Sequence, residues 1–385
     1  MKPEIRRALT AVFVARTAAN SGLRVVYPFL PAIARGLSVS VPALAAVVAL
    51  RNLGGLTTPL VARLAERTGR RRLMVAAMVA ITLGSALSAA TSVFALAAAG
   101  IVVVGIAKPG FDIPMQAWFG DRVPFSERGR VFGITELTWA LSLAVIVPAS
   151  GFLIAATSWR APFVLVSLFA AVGTFVVLRN IEPDVPHERE PRPLALSKPP
   201  ALMLAATVLF SIASEVPFVV YGQWLEESFS LSVTGIGLFT LVLFAAELTG
   251  EGLVTVISDK LGLRRMVLIG LTVSAAAYAS FSLTGDSLLR AIATVTVWIA
   301  SFEVTIVATI PLVSELAAES RDRLLSLLAV AVALGRASGA LVAPALFAAG
   351  GIGLAGAVSS ALALAALLLV GGVHSEAAAA PTIRS

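Results

Sequence analysis

The sequence contains no cysteine and only two histidines, His187 and His374. Without cysteine there can be no disulfides, thiolate metal sites or cysteine nucleophiles. Charge is scarce too. Asp, Glu, Lys and Arg together make up 13% of the 385 residues, about half of the roughly 25% usual in a globular protein. So little charge cannot give a globule of this size a soluble surface, which excludes a soluble enzyme. The 58% share of hydrophobic residues excludes disorder, because disordered chains are poor in apolar residues. The motifs H-E-x-x-H, G-x-S-x-G and G-x-x-x-x-G-K-[ST] are all missing, so neither catalysis nor nucleotide hydrolysis by this chain is expected. No catalytic residue, cofactor or metal site is assigned.

What the chain has instead is long apolar stretches. A bilayer core needs about 20 mostly apolar residues per helix. Twelve stretches qualify: 8–33, 41–63, 73–90, 93–116, 130–156, 161–178, 200–224, 233–257, 266–284, 287–312, 324–348 and 351–371. The one longer break runs from Arg179 to Pro200 and mixes charges with Pro183, Pro186, Pro191, Pro193, Pro199 and Pro200. That composition marks a linker. The expected fold class is an all-α membrane protein with twelve transmembrane helices in two pseudo-symmetric halves. The domains expected are a six-helix half over 1–178, a linker over 179–199, a second six-helix half over 200–373 and a tail over 374–385. Arg16, Asn20 and Arg24 interrupt the first apolar stretch, which reads as an uncleaved first span rather than a secretory signal.

Orientation follows from the basic residues. Of 29 Lys and Arg, Arg16, Arg24, Arg51, Lys108 and Arg336 lie within spans. With both termini cytoplasmic, only Arg35, Arg160 and Arg290 fall outside the cell and the other 21 face the cytoplasm, as the positive-inside rule requires. A multi-pass protein of the cell (plasma) membrane is expected. The sequence pI of about 10.5 then reports loops facing anionic lipid, and nucleic acid is not expected as a partner.

The sequence repeats itself. Glu66-Arg67-Thr68-Gly69-Arg70-Arg71-Arg72 after the second span matches Asp259-Lys260-Leu261-Gly262-Leu263-Arg264-Arg265 after the eighth, at an offset of 193. Arg128-Gly129-Arg130 and Arg321-Asp322-Arg323 share the same offset. Two independent loops with one offset point to a duplicated six-helix unit, an arrangement that places a binding site near the midplane between the halves.

The loop after the second span also resembles the signature loop of the major facilitator superfamily of secondary transporters. Ala62 stands for its usual Gly and Glu66 for its usual Asp. Gly120-Asp121-Arg122-Val123-Pro124 with Arg128-Gly129-Arg130, and Trp159-Arg160-Ala161-Pro162-Phe163, are similar to family sequences too. The resemblance covers essentially the whole chain and implies a monomer that moves a small-molecule substrate, with protons, by alternating access. It also implies a cytoplasmic gate in which Glu66, Arg70 and Asp121 form a network, with Arg67, Gly69, Arg71 and Arg128 beside it. Anchoring of the topology is the alternative role for Arg67 and Arg71. At offset 193, Arg70 maps to Leu263 and Asp121 to Ser314. Both partners are lost together, as a real Arg70–Asp121 contact would require.

Charges inside the bilayer carry the rest of the reading. Each costs roughly 2.5–3.5 kcal/mol on insertion scales, yet eleven lie within spans: Arg16, Arg24, Arg51, Lys108, Asp112, Glu136, Glu215, Glu247, Glu251, Glu303 and Arg336. They avoid the third, sixth, ninth and twelfth spans, an outcome of about 1% by chance, so those spans are expected to face lipid and the others a polar cavity. Arg16, Asn20 and Arg24 share a helix face at i, i+4, i+8, and Tyr27 continues it. Lys108 and Asp112 repeat the spacing, as do Glu247 and Glu251. The first half holds four bases against two acids and the second one base against four acids. Basic residues of the first half are expected to bind anionic groups or to pair with acids across the cavity. Carboxylates of the second half are expected to carry protons, Glu303 first and Asp112 second. Arg16, Asn20, Arg24, Tyr27, Arg51, Lys108, Asp112, Glu136, Glu215, Glu247, Glu303 and Arg336 are therefore the expected substrate and proton pathway. Structural locking between helices is the competing role for each charge. Pro148 with Gly151 in the fifth span is a fragment of the antiporter motif that the resemblance implies, or only a kink. Proton-coupled efflux is the expected activity. Uptake of an anionic metabolite and a non-transporting sensor are the alternatives.

Overall fold

The computed structural model describes residues 2–184, 198–316 and 321–373. The middle of the expected linker and the expected tail, with His187 and His374, lie outside the described residues. Every regular element among those described is helical. The first half holds α1 (Pro3–Arg24), α2 (Leu30–Gly36), α3 (Val41–Asn52), α4 (Thr58–Thr68), α5 (Arg70–Ala90), α6 (Phe94–Arg122), α7 (Phe125–Leu141), α8 (Val147–Ala156) and α9 (Ala161–Asn180). The second half holds α10 (Lys198–Phe229), α11 (Val233–Leu261), α12 (Leu263–Ser280), α13 (Leu288–Leu316) and α14 (Arg321–Gly371).

Ten helices among the described residues are long and apolar enough to cross a membrane, against twelve expected stretches. The difference has two sources. The polar α1 is not one of the ten, and the last two stretches run together as α14. Within α14, Gly350 and Gly351 leave helical geometry, and Gly351 sits at φ +62°, a left-handed conformation open to glycine.

Several spans are broken where the sequence demands it. The first bends between Arg24 and Leu30, around Pro28, which has no N–H to offer the helix. The second passes through a 3-10 turn over Leu53–Thr57 before Pro59. The fifth contains a π turn over Ser142–Ile146, immediately before Pro148. Proline removes a backbone donor there, and Thr240 of α11 reaches the Leu143 carbonyl at 3.1 Å. Neighbouring side chains commonly relieve such defects in membrane helices.

The repeat is built into the geometry. Gly69 and Gly262 sit at φ +89° and +80° between consecutive helices. Their amides bond to Ala65 and Ser258, and their carbonyls accept from Leu73 and Met266. Each pair is related by 193. Arg71 bonds to the Leu178 carbonyl at the end of α9, and Arg264 to the Gly371 carbonyl at the end of α14. Both residues and both acceptors differ by 193. An arginine on a terminal carbonyl satisfies the orphan acceptor and complements the helix dipole, so α5 closes on α9 and α12 on α14 in the same way.

The face of the bundle carrying Gly69, Gly262 and the start of α1 is called here the terminal face, and its opposite the far face. The halves meet toward the far face. Gly151 and Gly237 bring α8 and α11 into backbone contact, and Gly222 of α10 lies against the Pro28 carbonyl. Arg35 pairs with Glu226 at 2.9 Å. One apolar core runs through both halves, and a second lies only in the terminal-face part of the second half. The sixth span presents Val164, Leu168, Val172 and Phe175 as an exposed apolar stripe on α9, the surface expected of a lipid-facing helix.

Candidate functional site

Ascending α1 from the terminal face at 1.5 Å per residue, the intramembrane charges fall into three layers. The first surrounds Arg16, which is buried. Its guanidinium bonds to Asp112 at 3.2 Å, to Glu136 at 2.9 Å and to the Thr135 carbonyl at 2.6 Å. Asp112 also pairs with Lys108. Two cations and two anions, all from the first half, thus neutralise one another. Asp112 has two cationic partners. The Glu136 side chain is 46% exposed. Asn20 is buried and donates to Thr138 at 2.9 Å, which fastens α1 to α7.

The middle layer joins the halves. Arg24 donates to Glu247 of α11 at 2.7 Å, and its guanidinium lies 4.7 Å from the Trp139 ring centroid. Lys108 lies 5.2 Å from the same ring. Around this pair stand Glu251 and Glu303, whose side chains have no hydrogen bond or ion pair among the described residues. The charges that act on Glu303 come from Glu247, Arg24, Glu251 and Arg336. Those acting on Glu251 come from Glu247, Glu136 and Arg24. Gly250 makes room for Glu303, since a Cβ at 250 would lie 2.6 Å from the Cβ of Glu303.

The third layer lies at the break in the first span. Glu215 of α10 is buried and accepts from Tyr27 at 2.7 Å, Asn52 at 2.8 Å and Arg336 at 2.7 Å. Arg336 also donates to the Tyr27 hydroxyl at 3.0 Å. Tyr27 and Asn52 belong to the first half, Glu215 and Arg336 to the second. Arg51 is 1% exposed and makes no ion pair among the described residues. It donates to the Leu23 carbonyl at 2.8 Å and lies 4.8 Å from the Tyr27 ring centroid. Its geometry is that of a cap on the broken helix.

At the terminal face, Arg70 pairs with Asp121 at 2.6 Å and donates to the Ala117 carbonyl at 3.0 Å. Glu66, the third expected member, makes no ion pair among the described residues. Asp184, just beyond α9, takes that place, accepting from the Arg70 amide at 3.0 Å with its carboxylate 3.6 Å from Nε. The physical reason is reach. Gly69 turns the chain so that Arg70 begins α5 beside the end of α9, while Glu66 stays on α4. Arg128 bonds to the Val123 and Gly120 carbonyls, capping α6. Arg67 is exposed. Among the described residues, no group of three acidic or histidine side chains has metal-binding geometry.

The structure therefore brings together Arg24, Glu247 and Glu303, and separately Tyr27, Glu215 and Arg336. It assigns Arg16, Lys108 and Asp112 to a closed network within the first half. Trp139, Asn52 and Asp184 were missed in the sequence. Trp139 stands one helical turn beyond Glu136, a spacing that could have pointed to it.

Comparison with known proteins gives one family. The model of the Major Facilitator Superfamily matches residues 11–221 and 203–382. The chain is 25% identical over 311 residues to the uncharacterized MFS-type transporter YwfA of Bacillus subtilis, covering 76% of this chain and 74% of that one. It is 25% identical over 276 residues to the class C tetracycline resistance protein of Escherichia coli, covering 67% and 69%. Its fold matches the crystal structure of a D-xylose–proton symporter with a TM-score of 0.78, at 16% identity, over 96% of this chain and 98% of that one.

Proposed function

The chain belongs to the major facilitator superfamily, a family of transporters, and we propose that it exports a small molecule across the cell membrane in exchange for protons. It does so with twelve spans in two halves, as a monomer, with both termini in the cytoplasm. The observation that carries this reading is the middle layer. One ion pair, Arg24 to Glu247 at 2.7 Å, bridges the halves beside two carboxylates that have no hydrogen bond or ion pair among the described residues. Rocking of the halves must break that bridge, and the unpaired carboxylates beside it can take up and give back a proton as it breaks. With no histidine in any span, carboxylates are the groups left for the task.

The relative named for tetracycline resistance supports export as the direction. The alternative, uptake of an anionic metabolite on Arg16 and Arg24, requires free guanidinium groups, and both are engaged by carboxylates. The test is proteoliposome flux with a trapped pH dye and tetracycline, ethidium, benzoate and xylose as probes. Wild-type protein is expected to couple proton movement to at least one probe, and Glu303→Gln to abolish the coupling. Coupled flux unchanged in Glu303→Gln would remove Glu303 from the pathway. No coupled flux with any probe would overturn the exchange reading.

A further inference from the structure

Arg24 occupies a place shaped for a cation. Its guanidinium stacks at 4.7 Å on the Trp139 ring while its Nη1 meets Glu247 at 2.7 Å. A half-buried aromatic face with an adjacent buried carboxylate is the pair of contacts that recognises a flat organic cation. Glu247 is 4% exposed, so its charge is not screened by bulk water. The fit is incomplete for arginine itself, because Arg24 Nε is buried without an acceptor. Acidic side chains also outnumber basic ones here, three against Arg24 and Lys108, the latter 5.2 Å from the same ring and paired with Asp112. Glu247, Glu251 and Glu303 all come from the second half, and Arg24 is the group that bridges to them from the first.

We propose that Trp139 and Glu247 form the binding place of a flat organic cation, and that Arg24 is a tethered cation that fills it when no substrate is bound. The proposal rests on the transport reading above and names its substrate class. An arriving cation takes the indole face and the Glu247 carboxylate. The displaced guanidinium moves to Glu303, on which Arg24 acts electrostatically and which has no hydrogen bond or ion pair among the described residues. That exchange opens the ion pair between the halves. A proton delivered to Glu303, on which Glu247, Arg24, Glu251 and Arg336 act electrostatically, removes the refuge. Arg24 then returns to Glu247 and expels the substrate. Cation and proton compete through a moving arginine rather than for one shared carboxylate.

The experiment is ethidium binding to the purified full chain in detergent, read by fluorescence anisotropy with no gradient present. Arg24→Gln removes the competitor and is expected to lower the ethidium Kd about tenfold. Adding Trp139→Leu or Glu247→Gln to that variant is expected to raise the Kd again by about tenfold or more. Should Arg24→Gln fail to run as a single species on gel filtration, Arg24→Lys serves in its place. It keeps the charge but loses the flat face, and is expected to bind ethidium more tightly than wild type by a smaller factor. An ethidium Kd unchanged or raised on replacing Arg24, or indifference to Trp139→Leu, overturns the proposal. So does wild-type binding of 1-naphthoate that vanishes in the Arg24 variant, since Arg24 would then be an anion receptor. Because binding is read without flux, ethidium bound as expected but never transported would defeat the transport reading alone.

Discussion

Glu215 illustrates how a single buried carboxylate can hold two halves of a molecule. It accepts three hydrogen bonds, two of them from Tyr27 and Asn52 across the interface and one from Arg336 in its own half. Hydrogen bonds to charged groups contribute about 1.5–3 kcal/mol each, and loss of one ionic partner leaves the other charge uncompensated. Glu215→Gln keeps the shape and removes the charge. It is expected to destabilise the protein by about 2 kcal/mol, read as a lower melting temperature in detergent. Glu215→Gln/Arg336→Gln is expected to recover part of the loss, because no charge is left stranded. A double variant as unstable as the sum of the singles would show that the pair is not coupled. At this scale the sequence was legible wherever a charge stood in an apolar run, because such a residue needs a reason to be there. Arg16, Arg24 and Tyr27 fall on one face by spacing alone. Asn52 and Trp139 did not stand out, since a neutral polar or aromatic residue in a span raises no such question. That Arg51 caps the Leu23 carbonyl depends on the break in the first span, which spacing does not reveal.

Glycine decides how closely the helices approach, and two glycines of α11 separate packing from propensity. A Cβ at Gly250 would lie 2.5 Å from the Ala300 backbone oxygen and 2.6 Å from the Glu303 Cβ, whereas one at Gly252 would meet nothing within 4 Å. Gly250→Ala must push α13 away. It is expected to cost about 1–3 kcal/mol and to reduce proton-coupled flux by shifting Glu303. Gly252→Ala gains helix propensity without a clash, so stability should be unchanged or higher by up to about 1 kcal/mol. Thermal unfolding of both variants checks the pair, and equal destabilisation would refute the argument. The elements themselves were legible from apolar length, and the duplication from two loops at one offset. The Gly69 and Gly262 turns, and the arginines that close each half two positions later, carry that offset into the backbone. The breaks were less legible. Pro148 stood out in the sequence, but the π turn before it and the help from Thr240 depend on a neighbouring helix.

The molecule as a whole is closed at the far face. Arg24, Thr240, Tyr27, Asn52 and Arg35 make polar contacts across the halves, and all of these lie from the middle of the bundle to that face. Gly151 and Gly237 bring the backbones together there. Alternating access requires that these contacts open while others form at the terminal face. The absence of cysteine makes the requirement measurable, since any thiol introduced is the protein's own sole label. Arg35 and Glu226 stand across the interface 2.9 Å apart at the far face. Joining Arg35→Cys and Glu226→Cys with a short bismaleimide is expected to abolish flux, while each single variant keeps it. A thiol at Gly133, introduced alone, is expected to react with a water-soluble maleimide, because Gly133 is exposed with nothing within 4 Å of its Cβ position. Continued flux in the cross-linked protein would mean that the far face never opens during the cycle, and that the substrate leaves by another route.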